Sequence, residues 1–377
     1  MATRMWDDST EGEVWLVEPE LETQDYEANY ATLSDTDSSV DTLATIESAD
    51  VASECDLLMW LIDLIVGSAF FRIEHGRAFS AYEGVPMVLP TDSAEIRRLR
   101  IQHLAIKLVM GGTLDEIIST HLALSSDGRR KRVLDVRTQT GMWAEEMALA
   151  YPEVDIKSID VAPTIQHIPR HNLQHEVYDI HEGILESDAT FDIVHARHTI
   201  GMIKDWRSLL RDMHRVLRPG GLFIFAEMYP QLTFPEEHIP ALTGSASRSA
   251  SLFEELRAIL SKRGVLVEGS HKIDAWLSPQ DVLWESRLAP SGFHRISHRV
   301  WELPINGLWH PDPLMQEVGL LMAMNTCQFV ESTRPMFLSS GMTDPEFDAW
   351  VEDIRKEVRD PMNNSVIRYH VVCAYRL

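Results

Sequence analysis

Short apolar runs alternate with amphipathic segments from residue 132 onward. RVLDV at 132–136 is apolar and bounded by turn-forming residues, which predicts a buried strand. Similar runs are VDIKSID at 154–160, LQHEVYDI at 173–180, FDIVHAR at 191–197 and LFIFAEM at 222–228. Helical periods at 143–151 and 206–217 separate some of these strands. The alternation predicts an α/β fold with a mostly parallel sheet and helices on both faces.

Segments beyond this unit extend the predicted sheet. Residues 251–263 and 348–358 have helical periods, whereas 293–305 and 365–377 are long strand candidates. The last two segments predict an antiparallel edge at the end of the parallel sheet, which makes the sheet seven-stranded. We therefore assign residues 129–377 to one α/β domain.

A helical extension or lid, residues 56–128, is predicted before this domain. Its strongest segment, EIRRLRIQHLAIKLVM at 95–110, carries apolar residues at helical spacing. Thr91 or Asp92 is placed to cap this helix, and the Gly111-Gly112 pair is placed to end it.

The first 55 residues are predicted to be a disordered acidic tail. The whole chain has a net charge of -24, and residues 1–56 hold 16 acidic residues and a single basic one, Arg4. This segment has no sustained apolar period, as is typical of disordered regions. An acidic surface repels phosphate backbones, so nucleic acid is not an expected partner.

Composition also bears on the compartment and on metals. The three cysteines have no disulfide or metal-site spacing, which favours a reducing compartment, either cytoplasmic or nuclear. The apolar run at 57–71 is shorter than the ~20 residues that span a bilayer, so no membrane association is predicted. Two H-x-x-x-H pairs fall in or beside predicted strands, where four residues span ~13 Å, so no metal is predicted.

The turn after the first strand carries the candidate chemistry. Ligands of such sheets bind at the carboxyl ends of the strands. The turn runs from Asp135 through Arg137 and Gln139 to Gly141, and a helix containing Trp143 follows. Asp160 ends the second strand and Asp179 the third, and an acid after the second strand can bind ribose hydroxyls.

The motif VLDVRTQTGMWAEEMA at 133–148 resembles the VLDVGTGTG-x-W-A motif of class I S-adenosyl-L-methionine (SAM) methyltransferases. It is most similar to the fungal branch that includes LaeA-like and Tam-type enzymes. Further segments resemble this branch in the same order, at 71–103, 159–172, 191–197, 205–221 and 303–313. The resemblance covers residues 71–377. It implies a Rossmann-like fold, SAM as cofactor, and methyl transfer to a small-molecule or protein acceptor in fungal secondary metabolism or its regulation.

The resemblance also implies roles for particular residues. Those expected to contact the cofactor, from its methionine end to its adenine end and the cleft beyond, are Asp135, Arg137, Gly141, Trp143, Asp160, Asp179, Ile180 and Arg197. His195 and His198 stand at the end of the fourth strand. They are candidate general bases for an acceptor proton.

Two positions depart from the family's motif. Arg137 and Gln139 stand where it has glycines, and a positive φ there would cost of order ~1 kcal/mol each. In one interpretation Arg137 bends away or pairs with the SAM carboxylate. In the other its side chain closes the pocket, and the fold is an inactive scaffold for protein partners. The motif lacks Gly-x-Gly-x-x-Gly, which disfavours a nicotinamide-dependent enzyme. The oligomeric state is not predicted.

Overall fold

The computed structural model describes residues 2–7, 12–17, 71–82, 84, 89–123, 128–137, 139–162, 170–199, 201–235, 248–285 and 291–377, with backbone alone for the first two ranges. The strands are β1 (Ala2–Asp7), β2 (Gly12–Val17), β3 (Phe71–Glu74), β4 (Arg77–Ser80), β5 (Arg132–Val136), β6 (Asp155–Asp160), β7 (Leu173–Val177), β8 (Phe191–Arg197), β9 (Leu217–Thr233), β10 (Phe293–Pro304) and β11 (Val366–Arg376). The helices are α1 (Ser93–Met110), α2 (Thr113–Leu122), α3 (Met142–Ala150), α4 (Trp206–Val216), α5 (Arg248–Lys262), α6 (Gly269–Leu277), α7 (Pro313–Ser332), α8 (Arg334–Ser339) and α9 (Asp344–Arg359).

The sheet has the order β1-β2-β7-β6-β5-β8-β9-β11-β10 among the described strands. Strands β7, β6, β5, β8 and β9 are parallel to one another, and β11 runs antiparallel to both β9 and β10. The seven strands from β7 to β10 confirm the predicted Rossmann-like sheet. The antiparallel strand, β11, lies one position in from the edge because β10 pairs along its outer side.

The core lies on both faces of the sheet, as the pleat of the central strands requires. Val133 and Ile193 point to the face covered by α1, α3, α5, α7 and α9. Their neighbours Leu134 and Val194 point to the opposite face, covered by α4 and α6. Buried residues therefore run continuously along β5 and β8, which is why these strands appear as unbroken apolar runs in the sequence.

Strands β3 and β4 form a hairpin in the segment that was predicted to be helical. His75 and Gly76 connect them with φ values of 50° and 71°, the pattern of a two-residue turn that matches strand twist. The helical prediction is corrected for residues 71–80. Helix α1 follows as predicted: Asp92 Oδ1 accepts the backbone N–H of Glu95, and Gly111 ends the helix at φ 54°.

Strands β1 and β2 lie within the segment predicted to be an acidic tail. The backbone of β2 pairs with β7 at Trp15 and Leu16, so the two strands extend the sheet beyond β7. The sequence GEVWLV of β2 is rich in residues favoured in strands, and the surrounding acids obscured this signal. Residues 18–70, which include most of the apolar run at 57–71, lie outside the described residues. Of the helices that are described, none has the length and apolarity needed to cross a membrane.

Helix α7 has no counterpart among the sequence predictions. The side chain of Asp312 caps it by accepting the Leu314 N–H at 3.0 Å, and Pro313 occupies its first turn. Gly319 permits a close approach, since a Cβ there would lie 2.1 Å from the backbone N of Gly307. Asp-Pro followed by an apolar period was the available signal. The helix packs beside α1 and completes the wall of the functional site.

Candidate active site

Two adjoining cavities lie at the carboxyl ends of β5, β6 and β8. The loop cavity, of about 640 Å³ including space open to solvent, is lined by residues that follow β5 and β6 and by the start of α1. The deep cavity, of about 790 Å³ on the same measure, extends between α1, α5, α7 and β9. Five side chains line both cavities: Leu89, Leu99, Arg137, Gln139 and Met202. The altered positions of the motif therefore stand at the junction of the two cavities.

The loop after β5 keeps a backbone path suited to glycine. Arg137 and Gln139 have φ values of 60° and 55°, a region that costs a non-glycine residue roughly 1 kcal/mol. The N–H of Arg137 donates to the carbonyl of Ile159 at 2.8 Å, and the N–H of Gln139 donates to Asp160 Oδ2 at 2.8 Å. Gly141 has φ 73° and begins α3. Bonds to β6 thus hold the strained loop against the second strand.

The Arg137 guanidinium lies in the wall between the cavities. Its Nη1 donates to the carbonyl of His198 at 2.6 Å. Its Nε is buried and has no hydrogen-bond partner among the described residues. Burial lowers the pKa of Arg137, while Asp160 and Glu227 oppose that change. A guanidinium has five N–H donors, so an acceptor in the adjoining space would satisfy a group that is otherwise costly to bury.

Asp160 is fixed at the end of β6 and lines the loop cavity. Its Oδ2 accepts the N–H of Gln139, and its Oδ1 accepts the N–H of Val161 at 2.7 Å. Burial raises the pKa of Asp160, and the charge of Arg137 opposes that rise. Each carboxylate oxygen can accept more than one hydrogen bond, so both retain capacity for a ligand hydroxyl.

Asp179 follows β7 and is engaged by neighbouring side chains. Its Oδ2 accepts the hydroxyl of Tyr82 at 2.8 Å, and its Oδ1 accepts the N–H of His181 at 2.9 Å. The rings of Tyr82 and His181 stack with centroids 5.4 Å apart. Ile180 is buried in the core. Neither Asp179 nor Ile180 is among the described residues that line the two cavities.

Asp135, His195 and Trp143 form a closed cluster below the loop. His195 Nδ1 lies 2.7 Å from Asp135 Oδ1, and the imidazole stacks on Trp143 at a centroid distance of 3.7 Å. Burial lowers the pKa of His195 despite the nearby carboxylate, so the neutral ring donates from Nδ1. None of the three is among the described residues that line a cavity. They support the base of the loop instead.

His198 and Arg197 leave the end of β8 in different directions. His198 lines the deep cavity, with Nδ1 3.8 Å from Glu227 Oε1. Burial, followed by the charges of Arg197 and Arg137, holds the pKa of His198 well below its ordinary value. Arg197 Nη1 donates to His103 Nδ1 at 2.8 Å and is not among the described cavity-lining residues. Of the ten predicted site residues, the structure brings Arg137, Asp160 and His198 to the cavities.

A chain of hydrogen bonds that runs from buried Arg197 through His103 to the partly exposed Glu146 joins α1 to α3 beside these residues. Because Arg197 can only donate, His103 Nδ1 accepts and its Nε2 carries the proton toward Glu146 Oε1, 3.2 Å away. Lys107 Nζ lies 2.9 Å from the same oxygen. Burial opposes ionisation of Glu146, but these two partners lower its pKa to about 2.

This chain of hydrogen bonds predicts an acid-dependent loss of stability. Glu146 has a depressed pKa in the folded state, so it stabilises the fold above its ordinary value of 4.5 and loses this contribution as pH falls toward about 2. Because its side chain is about one-third exposed, we expect only about 1 kcal/mol. Urea unfolding of Glu146→Gln should show a deficit relative to wild type at pH 7 that narrows near pH 3. An equal deficit at both values would contradict the assignment.

The deep cavity also contains polar residues that sequence reasoning missed. Arg98 Nε and Nη2 bond Glu95 Oε1 at 2.9 and 2.6 Å, and Arg98 Nη1 donates to Asn325 Oδ1 at 2.7 Å. Glu227, on β9, lines the same space. The available signals were Glu-x-x-Arg within α1 and an acid inside the most apolar strand. Among the described parts of the chain, no group of three or more His, Cys, Asp or Glu is placed to hold a metal.

Comparisons with known proteins show what this chain is similar to. A family model described as a methyltransferase domain matches residues 112–271. "Methyltransferase pytC" of Aspergillus terreus is 26% identical over 310 residues, covering 81% of this chain and 88% of that protein. "Secondary metabolism regulator laeA" of Coprinopsis cinerea is 28% identical and covers 81% and 74%. "Protein-methionine methyltransferase laeA" of Emericella nidulans is 26% identical and covers 70% and 64%. Phosphoethanolamine N-methyltransferase 2 of Haemonchus contortus has a similar chain course, with 15% identity, a TM-score of 0.40, and coverage of 85% and 73%.

The sheet order and the matched domain define a class I methyltransferase, the class whose cofactor is SAM. Within that class, the chain is similar to the fungal pytC and laeA proteins, at 26% and 28% identity. The methyltransferase class predicted from the motif is therefore confirmed.

Proposed function

We propose that the chain is an active SAM-dependent methyltransferase that holds the cofactor in the loop cavity. This proposal rests on two side chains in one cavity wall: the Arg137 guanidinium, whose Nε has no partner among the described residues, and the fixed Asp160 carboxylate. When bound, SAM supplies an electrophilic methyl group on a sulfonium. The protein contributes mainly position and exclusion of water.

Arg137 explains why the altered motif is compatible with the cofactor. A carboxylate of the cofactor's methionine part would accept from the buried guanidinium, giving a charge-assisted bond in place of close backbone approach. Asp160 would accept the ribose hydroxyls while its other lone pairs hold the loop. The strain at Arg137 and Gln139 is then offset by ligand contacts, as at other strained functional positions.

His198 is the better placed of the two candidate bases. It lines the deep cavity, whereas the ring of His195 is enclosed by Asp135 and Trp143. Its lowered pKa keeps the imidazole neutral near pH 7, so it can accept a hydrogen bond or a proton from an acceptor group. We assign this role to His198 alone and a supporting role to His195.

The names of the relatives support a role in fungal secondary metabolism or its regulation. One is named a methyltransferase, others regulators of secondary metabolism, and one a protein-methionine methyltransferase. We propose the same setting for this chain, in the cytoplasm or nucleus.

Calorimetric titration with SAM and with S-adenosyl-L-homocysteine (SAH) tests the cofactor site. We expect micromolar binding of both to the full chain. The matched control is the double variant Arg137→Gly/Gln139→Gly, which restores the family's glycines at two positions whose positive φ glycine adopts without strain. Binding by the double variant but not by wild type would mean that the two side chains close the cavity. The chain would then be an inactive scaffold rather than an enzyme.

A further inference from the structure

We propose that the deep cavity binds the methyl acceptor, and that this acceptor is an uncharged, largely apolar small molecule carrying a hydroxyl group. The proposal rests on the proposed function, because the loop cavity must hold the cofactor for the deep cavity to face its methyl group. The two cavities meet at Arg137 and Gln139, so a ligand in one adjoins a ligand in the other.

The walls of the deep cavity are apolar on most sides. α5 contributes Phe253, Leu256 and Leu260, α7 contributes Met322 and Phe329, and β9 contributes Met228. The side chains of Leu256, Leu260 and Met322 are almost fully shielded from solvent. Aromatic rings and methionines fit flat or irregular apolar ligands.

The floor of the deep cavity is formed by Arg98, and its charge is paired within the protein with that of its partner Glu95. Arg98 forms two bonds to Glu95, and its remaining Nη1 donates to Asn325 and Gln102. Glu95 in turn accepts the hydroxyl of Ser332 at 2.7 Å. A charged acceptor entering this floor would lose its hydration without gaining a counter-ion, which is unfavourable. The floor therefore selects against ionic ligands.

Hydrogen-bonding groups face the cavity where it meets the loop. His198 is neutral because of burial and nearby arginines, and Glu227 lies 3.8 Å from its Nδ1. The neutral imidazole can accept a hydroxyl hydrogen, whereas the Glu227 carboxylate repels a ligand carboxylate. This end of the cavity lies beside Arg137, at the junction with the loop cavity. A hydroxyl held here would therefore stand on the cofactor side of the acceptor.

The test is a titration of four matched naphthalene probes into the full chain saturated with SAH. The probes are 2-naphthol, naphthalene, 2-naphthoate and 2-naphthylmethylammonium. We expect 2-naphthol to bind about tenfold more tightly than naphthalene, since it adds one hydrogen bond to a buried acceptor. Both ionic probes should bind at least about tenfold more weakly than 2-naphthol. Equal or tighter binding of an ionic probe would overturn the proposal.

A cavity-filling variant locates the probe. Leu256→Trp fills the deep cavity and should abolish 2-naphthol binding without altering the affinity for SAH. Leu266→Trp is the matched control, because Leu266 is 40% exposed and lies outside the described cavity lining. Should Leu256→Trp fail to bind SAH, Met322→Trp on the facing helix replaces it. Unchanged 2-naphthol affinity in the filled variant would overturn the assignment.

The titrations separate the two proposals. If wild type does not bind SAH, the proposed function fails. If it binds SAH but none of the probes below about 1 mM, the proposed function stands and the small-molecule acceptor is rejected in favour of a protein acceptor.

Discussion

Replacement of Arg137 by methionine is expected to weaken SAH binding about 10- to 100-fold, the range of a hydrogen bond to a charged group. The same variant should bind 5′-methylthioadenosine as wild type does, because that compound has the adenosine and sulfur but no amino-acid carboxylate. The physical reason is the buried guanidinium, whose Nε has no partner among the described residues. Calorimetry with the two ligands measures the difference directly, independently of turnover.

Two further variants control this experiment. Arg137→Lys keeps the charge but not the planar fork, so it should recover part of the SAH affinity. Asp160→Asn removes the cavity-lining carboxylate that we propose binds the ribose, so it should weaken SAH and 5′-methylthioadenosine alike. If Arg137→Met weakened both ligands equally, the side chain would be supporting the loop rather than binding the carboxylate.

Replacement of Lys157 by methionine is expected to lower the free energy of unfolding by about 3–5 kcal/mol, as when one partner of a buried ion group is removed. Lys157 Nζ lies 2.8 Å from Glu176 Oε1 and also contacts Glu186 Oε1. All three side chains are at most 7% exposed. Burial opposes the charge of Lys157, but the two carboxylates raise its pKa. Without the lysine, two carboxylates would share a buried site.

Urea unfolding measures this loss of stability, and two further variants serve as controls. Lys272→Met removes an exposed pair with Glu268 on the α6 side and should cost less than about 1 kcal/mol. The triple variant Lys157→Met/Glu176→Gln/Glu186→Gln should regain most of the loss, because no uncompensated charge remains. The assignment would be refuted if Lys157→Met and Lys272→Met had similar stabilities.

The strands that position the site were predictable because their periodicity and boundaries agree. β5 and β8 are apolar runs that end at turn-forming residues, and both lie where the sequence placed them. The motif raised a left-handed backbone at Arg137 and Gln139 as a condition, which the structure meets, but it did not indicate the direction of the Arg137 side chain. That direction depends on the His198 carbonyl, which is 61 positions away in sequence.

The deep cavity could not be predicted from local pattern. Arg98 and Asn325 are bonded across 227 positions, and nothing near either residue indicates the other. Asp135 and His195 were expected to contact ligand, yet they bond each other because neighbouring parallel strands bring them into register. Polar residues at strand ends thus identify the edge of the sheet, whereas tertiary packing decides which of them face a ligand.

The bonds between α1 and α7 bear on how the molecule can be divided. The methyltransferase match begins at residue 112, after α1 has ended, and stops at residue 271, before α7 begins. A fragment of 112–271 would retain Arg137 and Asp160 but lose Glu95, Arg98 and Asn325. Because segments on both sides of 112–271 close the deep cavity, and the start of α1 also lines the loop cavity, such a fragment would leave both cavities open to water. Expression and screening should therefore use the whole chain as the smallest unit.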